Sequence, residues 1–324
     1  MNDGGDFYVE GLMELSAYRL ERAEPDAAWD AFVDRSPQGT IFSQSEFLAA
    51  SGRTPSLWYC LKNDQVMGAA ALVEADDGRR CIHSGLLVYN GILFAPGDPN
   101  QNAAQVGSEH FRVTSAIIRD LTERYDGVEM AVSYAFADLR PFLWHNYGAA
   151  GPHFEIVPRY TSLIDLSGAT TENLNENPAY LACNKSRRQD LRYANKAGIE
   201  TREAYEPDLF ETLYRRTFEA QGLDVPADEI AAISASVERL HATGRLKMFQ
   251  AAEPGAPPGS VAVFGIDGKR SYYLYGANDP DQRAGYTGSA VLWEAFRNLA
   301  AAGVPELDLE GINSPKRGYF KLSF

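Results

Sequence analysis

Two periods of apolar and polar residues alternate along the chain, and each change of period marks a new element. Over 26–34 the apolar residues Trp29, Phe32 and Val33 share one side of a short helix, and Thr40-Ile41-Phe42 leads into a second helix near 45–50. Strand-like runs follow at 56–61, 65–74 and 80–87, broken by the turn sequences Lys62-Asn63-Asp64 and Asp76-Asp77-Gly78. A short strand at 92–94 stops at Pro96. Apolar residues at 111, 113, 117, 118 and 121 then give a helix over 109–124. A strand at 127–134 and a short helix at 139–147 complete the first half.

The second half returns to this order. It predicts a strand at 160–166, a basic helix at 177–196 stopped by Gly198, and a strand at 199–204. Helices at 207–220 and 227–243 come next, the second capped near Asp224 or Pro226. Strands at 247–252, 259–266 and 271–276, a helix at 288–302 and a strand at 306–309 close the pattern. The repetition lies in element order only and leaves no residue-level repeat. A chain of 324 residues also exceeds what one hydrophobic core fills, so two domains are expected, 13–158 and 159–317. Residues 318–324 are expected to return to the first domain, and residues 1–12 read as a flexible leader.

Composition narrows the class. Apolar residues at 45% and charged residues at 23% describe a folded protein rather than a disordered one. The apolar runs are only a few residues long, too short to span a bilayer. Acids at Asp3 and Asp6 stand where a secretory signal needs a basic flank. Cys60, Cys81 and Cys183 form neither a disulfide framework nor a metal knuckle, which predicts a reduced, cytoplasmic, metal-free protein. The net charge of −14 is the wrong sign for coating nucleic acid, so any such partner must be held by a local basic patch.

Chemistry concentrates near the C-terminus. The Gly-rich stretch from Gln282 to Gly288 joins a strand to a helix, a turn whose N–H groups suit an anion or a developing oxyanion. In CoA-dependent acetyltransferases this turn reads Q/R-x-x-G-x-G/A; Gln282 and Gly285 fit, and Thr287 departs from it. Gly285, Thr287 and Gly288 are therefore candidate substrate-binding residues, and an ordinary helix start is the competing reading. Tyr275 and Tyr89 are candidate cleft residues. Within 185–196, Lys185, Arg187, Arg188, Arg192 and Lys196 cluster around a single acid, Asp190. Arg188, Arg192 and Lys196 are spaced to share one helix face, which suits phosphate contacts. His83 and His145 are isolated, and no Ser-His-Asp or Cys-His set stands out, so no acyl-enzyme is expected.

These features come together in a resemblance. The stretches Asp138-Leu139-Arg140-Pro141-Phe142-Leu143-Trp144 and Arg159-Tyr160-Thr161-Ser162-Leu163-Ile164-Asp165-Leu166 contribute to it. So do the basic helix, Tyr275-Gly276-Ala277, and Leu307-Asp308-Leu309-Glu310-Gly311 followed by Phe320-Lys321. In this order they resemble the Fem transferases, tandem-GNAT enzymes that move an aminoacyl group from aminoacyl-tRNA to an amine. A looser match begins at Phe42-Ser43-Gln44-Ser45. The resemblance implies an α/β (α+β) fold of two GNAT-like domains, each a mixed, mostly antiparallel sheet flanked by helices. The element order agrees with that fold, and the coiled-coil arm of some members is absent.

The resemblance places Lys321, of the Phe320-Lys321 pair, near the reacting ester, where an ammonium stabilises charge on the carbonyl and ribose oxygens. It makes the basic helix the tRNA contact. Aminoacyl-tRNA is then a co-substrate and no other cofactor is needed. For the general base, Asp308, Glu310 and Asp279 are candidates, with Asp308 put first, and the tRNA ribose hydroxyl or the acceptor itself could serve instead.

One departure bears on the acceptor. Cell-wall members hold a diphosphate with basic side chains, one of them in a T-x-x-R-x-G-F stretch. Here Thr217-Phe218-Glu219-Ala220-Gln221-Gly222-Leu223 has Ala220 at the arginine position, although a two-residue shift would bring in Arg215 or Arg216. The early helix also lacks the lysine that often follows Ser-Gln. A small peptide-type amine, such as the peptidyl-nucleoside acceptor of pacidamycin-type biosynthesis, fits better than a muropeptide. A CoA-dependent N-acyltransferase and a non-catalytic binding protein remain the alternatives.

Overall fold

The computed structural model describes residues 15–282 and 286–324, so the leader expected at 1–12 lies outside the described residues. The chain divides into two compact units, Met1–Pro158 and Arg159–Phe324.

The first unit runs β1 (Tyr18–Arg22), α1 (Ala27–Arg35), α2 (Ser45–Ala50), β2 (Thr54–Lys62), β3 (Gln65–Glu74), β4 (Arg80–Ile82), β5 (Gly91–Phe94), α3 (Ala103–Arg124), β6 (Gly127–Val128) and α4 (Arg140–Trp144). Strand order is β1-β2-β3-β4-β6, and β5 pairs with β3 off that path. Among the described residues of this unit only the β4–β6 contact is parallel. Asn63 and Asp64, both at positive φ, form the two-residue hairpin turn that matches the twist of β2 and β3. A capping box at Asn102 and Gln105 starts α3, which packs Val113, Ala116, Ile117 and Leu121 into the core with Trp58, Leu72 and Phe94.

The second unit runs β7 (Leu163–Asp165), α5 (Pro178–Ala182), α6 (Lys185–Ala197), β8 (Glu200–Glu203), α7 (Pro207–Glu219), α8 (Ala227–Ala242), β9 (Leu246–Ala252), β10 (Ser260–Ile266), β11 (Ser271–Asn278), α9 (Thr287–Ala301), β12 (Glu306–Asp308) and α10 (Pro315–Lys321). Its sheet is ordered β7-β12-β11-β10-β9-β8, antiparallel except where β11 meets β12. Leu292, Ala295, Phe296 and Leu299 of α9 press on Phe249, Ala262 and Phe264 of the sheet. From β8 onward the second unit repeats the first unit's order of a strand, two helices, a run of strands, a helix, a strand and a helix, which makes this a tandem GNAT-like fold.

Several elements differ from the expected pattern. The helix expected over 177–196 is two helices, because Asn177 and Asn184 each cap a fresh start and Cys183 between them is extended. The strands expected at 80–87, 127–134 and 160–166 are short, since their backbone groups find other partners. Asn90 takes up the N–H of Ala131, and Tyr160 and Ser162 bond to the segment after β12. The pattern missed β1 and α10. Residues 318–324 are tied to the core of the second unit. Asn184 N–H donates to Ser323 C=O, and Phe324 packs on Phe296, so this segment belongs to the second unit.

Gly68 tests the packing of α3 on the first sheet. A Cβ there would lie 2.7 Å from Val113 Cγ1 and 2.9 Å from the Leu93 carbonyl oxygen, and a backbone atom cannot swing aside. Gly68→Ala is expected to lower stability by about 1–3 kcal/mol in chemical denaturation.

Candidate active site

β11 and β12 pair only at Ser271 with Leu307 and at Tyr272 with Asp308; beyond these positions β11 continues to Asn278 while β12 stops. A bulge lies at the same level, where the partners shift from Val263–Tyr275 to Phe264–Tyr273 and Leu274 is left over. The extra residue puts Tyr273 and Tyr275 on opposite faces of the sheet, although their spacing in sequence would put them on one. Tyr273 stacks on Phe264, and Tyr275 meets Phe210 and Tyr214 of α7.

The chain leaving β12 is tightly held. Asp308 is fully buried; its carboxylate accepts from the Thr161 hydroxyl and from the N–H of Glu310 at 2.7 Å. These bonds fix Glu310 in the left-handed region at φ 53°, which a long side chain adopts only when its surroundings impose it. Glu310 is 7% exposed, and its Oε1 is buried with no hydrogen-bond partner. Burial, and then the charge of Asp308, hold its carboxyl well above the usual range, while Lys321 pulls it down.

Lys321 ends α10 beside this turn. Its ammonium lies 2.5 Å from the Leu309 carbonyl oxygen, 3.4 Å from those of Glu310 and Gly311, and 5.2 Å from the centre of the Tyr273 ring. Burial lowers its pKa, with Glu310 opposing that shift and Arg317 adding to it. A half-buried cation, a buried carboxyl and the aromatic rings of β11 thus converge where β11 and β12 part. Burial and Glu310 also push the Tyr275 hydroxyl up, so it remains a neutral donor.

The other predicted residues divide by environment. Lys185, Arg192 and Lys196 are exposed on α6 and Arg188 is half-buried. Arg187, grouped with them as a tRNA contact, is buried instead of facing solvent. With Leu191 and Ala194 it forms the buried stripe, where it bonds Ser323 at 2.9 Å, Asp190 at 3.1 Å and Ser289, and lies over the Phe320 and Phe324 rings. The spacing of Arg187, Leu191 and Ala194 already carried that signal. Phe320, the other member of the Phe-Lys pair, packs against Phe324 and the core.

Thr287 and Gly288 seat α9 on the sheet. Ser260 Oγ lies 2.8 Å from Thr287 Oγ1, and a Cβ on Gly288 would come within 2.9 Å of Asn278 Oδ1. Gly285 lies outside the described residues. Tyr89 packs on Phe42 and Tyr134 in the first unit. Asp279 is held by Arg216 at 2.8 Å. Burial pushes the Cys60 thiol up to about 12 and those of Cys81 and Cys183 up to about 11, leaving no ready thiolate. Among the described residues no His, Cys, Asp and Glu group could hold a metal ion, and no helix is long and apolar enough to cross a membrane. Sequence reasoning gave no role to Arg317, Tyr214 or the Thr161 hydroxyl, which only the fold gathers around the turn.

The fold is tandem GNAT-like, and three comparisons bear on it. Residues 184–321 match the sequence profile of the Acetyltransferase (GNAT) domain, which spans the basic helix and Lys321. No curated protein matches the chain by sequence. Among solved structures it is similar to FemX, with a TM-score of 0.63 and 14% identity over 94% of this chain and 93% of that one. A conserved protein of unknown function from Bacteroides thetaiotaomicron gives a TM-score of 0.58 at 12% identity over 94% of each chain. A tandem GNAT protein from the clavulanic acid biosynthesis pathway gives 0.50 at 12% identity, also over 94% of each chain. At these identities the likeness establishes the shared fold.

Two stability experiments follow from these contacts. Because the carboxyl of Glu310 is raised above its unfolded value of about 4.3, ionising it costs folding free energy as pH rises through the folded value. Glu310→Gln is expected to be more stable than the native protein at pH 7, and the difference should vanish by about pH 4, below the unfolded value. The reverse order in denaturation midpoints would mean that the carboxylate is stabilised. Arg187→Ala should cost about 3 kcal/mol, whereas Arg192→Ala, on the exposed face, should stay within about 0.5 kcal/mol of the native protein.

Proposed function

We propose that the protein transfers an aminoacyl group from aminoacyl-tRNA to the free amine of a small peptide-type acceptor, forming a peptide bond. The observation that carries this reading is the placement of Lys321. Its ammonium is gathered by the carbonyls of residues 309–311 at the end of β12, beside a buried carboxyl. The amine attacks the ester carbonyl, and negative charge develops on the carbonyl oxygen and then on the departing ribose oxygen. A partly desolvated ammonium stabilises both, and one such contact is worth about 3 kcal/mol. The ester is already an activated acyl group, so the reaction as written needs no cofactor. The resemblance to the Fem transferases points to the same role for Lys321, and the likeness in fold to FemX is consistent with it.

The exposed face of α6 supports the choice of donor. Lys185, Arg192 and Lys196 present cations to solvent on a chain of net charge −14. Such a local patch suits weak, salt-sensitive contacts with a tRNA that must leave after each turnover in the cytoplasm.

For the acceptor, a peptidyl nucleoside or similar secondary metabolite fits better than a muropeptide. Ala220 occupies the position of the expected arginine. Arg216 is held between Asp279 and Asp281, and Arg215 pairs with Glu211. A diphosphate recruiting either arginine would have to displace those carboxylates. The clavulanic acid pathway protein gives one instance of this fold in secondary metabolism. Acyl transfer from CoA is the second reading, favoured by the GNAT domain match at 184–321.

The test is transfer of radiolabel from a mixed pool of charged tRNAs to a muropeptide nucleotide and to a free-amine peptidyl nucleoside, with an acetyl-CoA arm in parallel. Label is expected on the peptidyl nucleoside, dependent on tRNA. Lys321→Ala is expected to lose about 100-fold or more in turnover. Arg192→Ala with Lys196→Ala should raise KM for tRNA and flatten its salt dependence while turnover holds. Acylation supported by acetyl-CoA alone would overturn the tRNA reading.

A further inference from the structure

We propose that the Glu310 side chain is the proton acceptor for the attacking amine, with Asp308 as the positioning residue that aims it; this rests on the aminoacyl-transfer reading above. Of the three acids that the sequence brings to this region, two are engaged. Asp308 accepts from Thr161 and from the Glu310 N–H, and Asp279 is paired with Arg216. Glu310 differs from both: its Oε1 is buried, has no hydrogen-bond partner, and sits on a residue held left-handed at φ 53°. A buried acceptor without a donor is costly unless a ligand supplies one. An amine N–H is a donor of that kind. Strain of this kind recurs where the backbone must aim one group at a reacting centre.

The turn that carries Glu310 also carries the carbonyls that gather Lys321. Cation and carboxyl are therefore placed to act on two atoms of the same tetrahedral centre. The amine nitrogen bonds to the ester carbon while the carbonyl electron pair moves onto oxygen, whose charge Lys321 offsets. The Glu310 carboxylate takes the proton from nitrogen. The ribose oxygen then leaves with its bonding pair as the carbonyl re-forms, and receives the proton held by Glu310. Ester and amine become amide and alcohol, Glu310 returns to its carboxylate and Lys321 keeps its charge throughout. No further reactant is required.

The charged and titratable groups around Glu310 set its proton affinity. Asp308 of β12 raises it and Lys321 of α10 lowers it. Arg317 of α10 acts on Lys321, and Tyr275 of β11 faces Glu310, with Tyr214 of α7 and Glu229 of α8 behind it. Burial in this company holds the carboxyl well above the usual carboxylate range, the direction in which a carboxylate gains affinity for a proton.

The experiment measures single-turnover transfer from aminoacyl-tRNA across the neutral pH range, for the native protein, Glu310→Gln and Glu310→Gly. Glycine suits the positive φ and leaves room for formate in place of the lost carboxyl. Glu310→Gln should lower the rate about 100-fold or more with KM for aminoacyl-tRNA unchanged. It should also lose the rise of rate with pH that the native protein shows. Formate should restore part of the rate to Glu310→Gly and none to Lys321→Ala. A Glu310→Gln protein with the native rate and the native pH profile would sink this assignment while leaving tRNA-dependent transfer intact. A native protein that moves no label from aminoacyl-tRNA would instead remove the underlying reading, and the assignment with it.

Discussion

The buried carboxylate of Asp308 is the constraint on which the candidate site depends. It stands at the last position where β12 pairs with β11, and its Oδ1 accepts from the Thr161 hydroxyl and the Glu310 N–H. That arrangement stops the strand, turns the chain left-handed and points the next carbonyls at Lys321. A fully buried carboxyl needs such partners, so its position cannot drift without opening the turn. The acid that the sequence puts first as a base also holds a second acid, Glu310, by its backbone N–H.

A second anchor lies behind Lys321. Arg187 of α6 reaches Ser289 of α9 and Ser323 after α10, with its guanidinium over the Phe320 and Phe324 rings. One buried cation thereby ties three helical segments together and fixes the base of α10. Its long planar fork suits that task, since several donors point in fixed directions at once. The same helix turns Lys185, Arg192 and Lys196 outward, so α6 carries both a buried arginine and an exposed basic face.

The site also combines stability and chemistry in opposite senses. Glu310 is strained, desolvated and short of a hydrogen-bond partner, and each of these costs folding free energy. Natural folds retain such a residue where a group must be kept reactive, and compensate elsewhere in the core. The compensation here is the sheet and the α9 stripe beneath it, where Phe249, Phe264, Phe296 and Leu307 are almost wholly buried.

Much of this was legible in the residues alone. Alternation and helical spacing located most of the strands and helices, because burial of one face imposes a period on the sequence. The order of motifs pointed to a tandem GNAT fold and to Lys321. The break in the basic helix at Asn184 was written in a capping residue that periodicity overlooks. Other features were open only to tertiary structure. Whether Asp308 or Glu310 is free depends on Thr161, 147 residues away from Asp308 in the chain. Whether Tyr273 and Tyr275 share a face depends on a bulge that exists only once β10 is alongside. Whether Arg187 meets phosphate or phenylalanine depends on where the last residues of the chain come to rest. Local sequence sets the period and chemical type of each element. The partner of a buried charge is a long-range contact, and only the folded chain determines it.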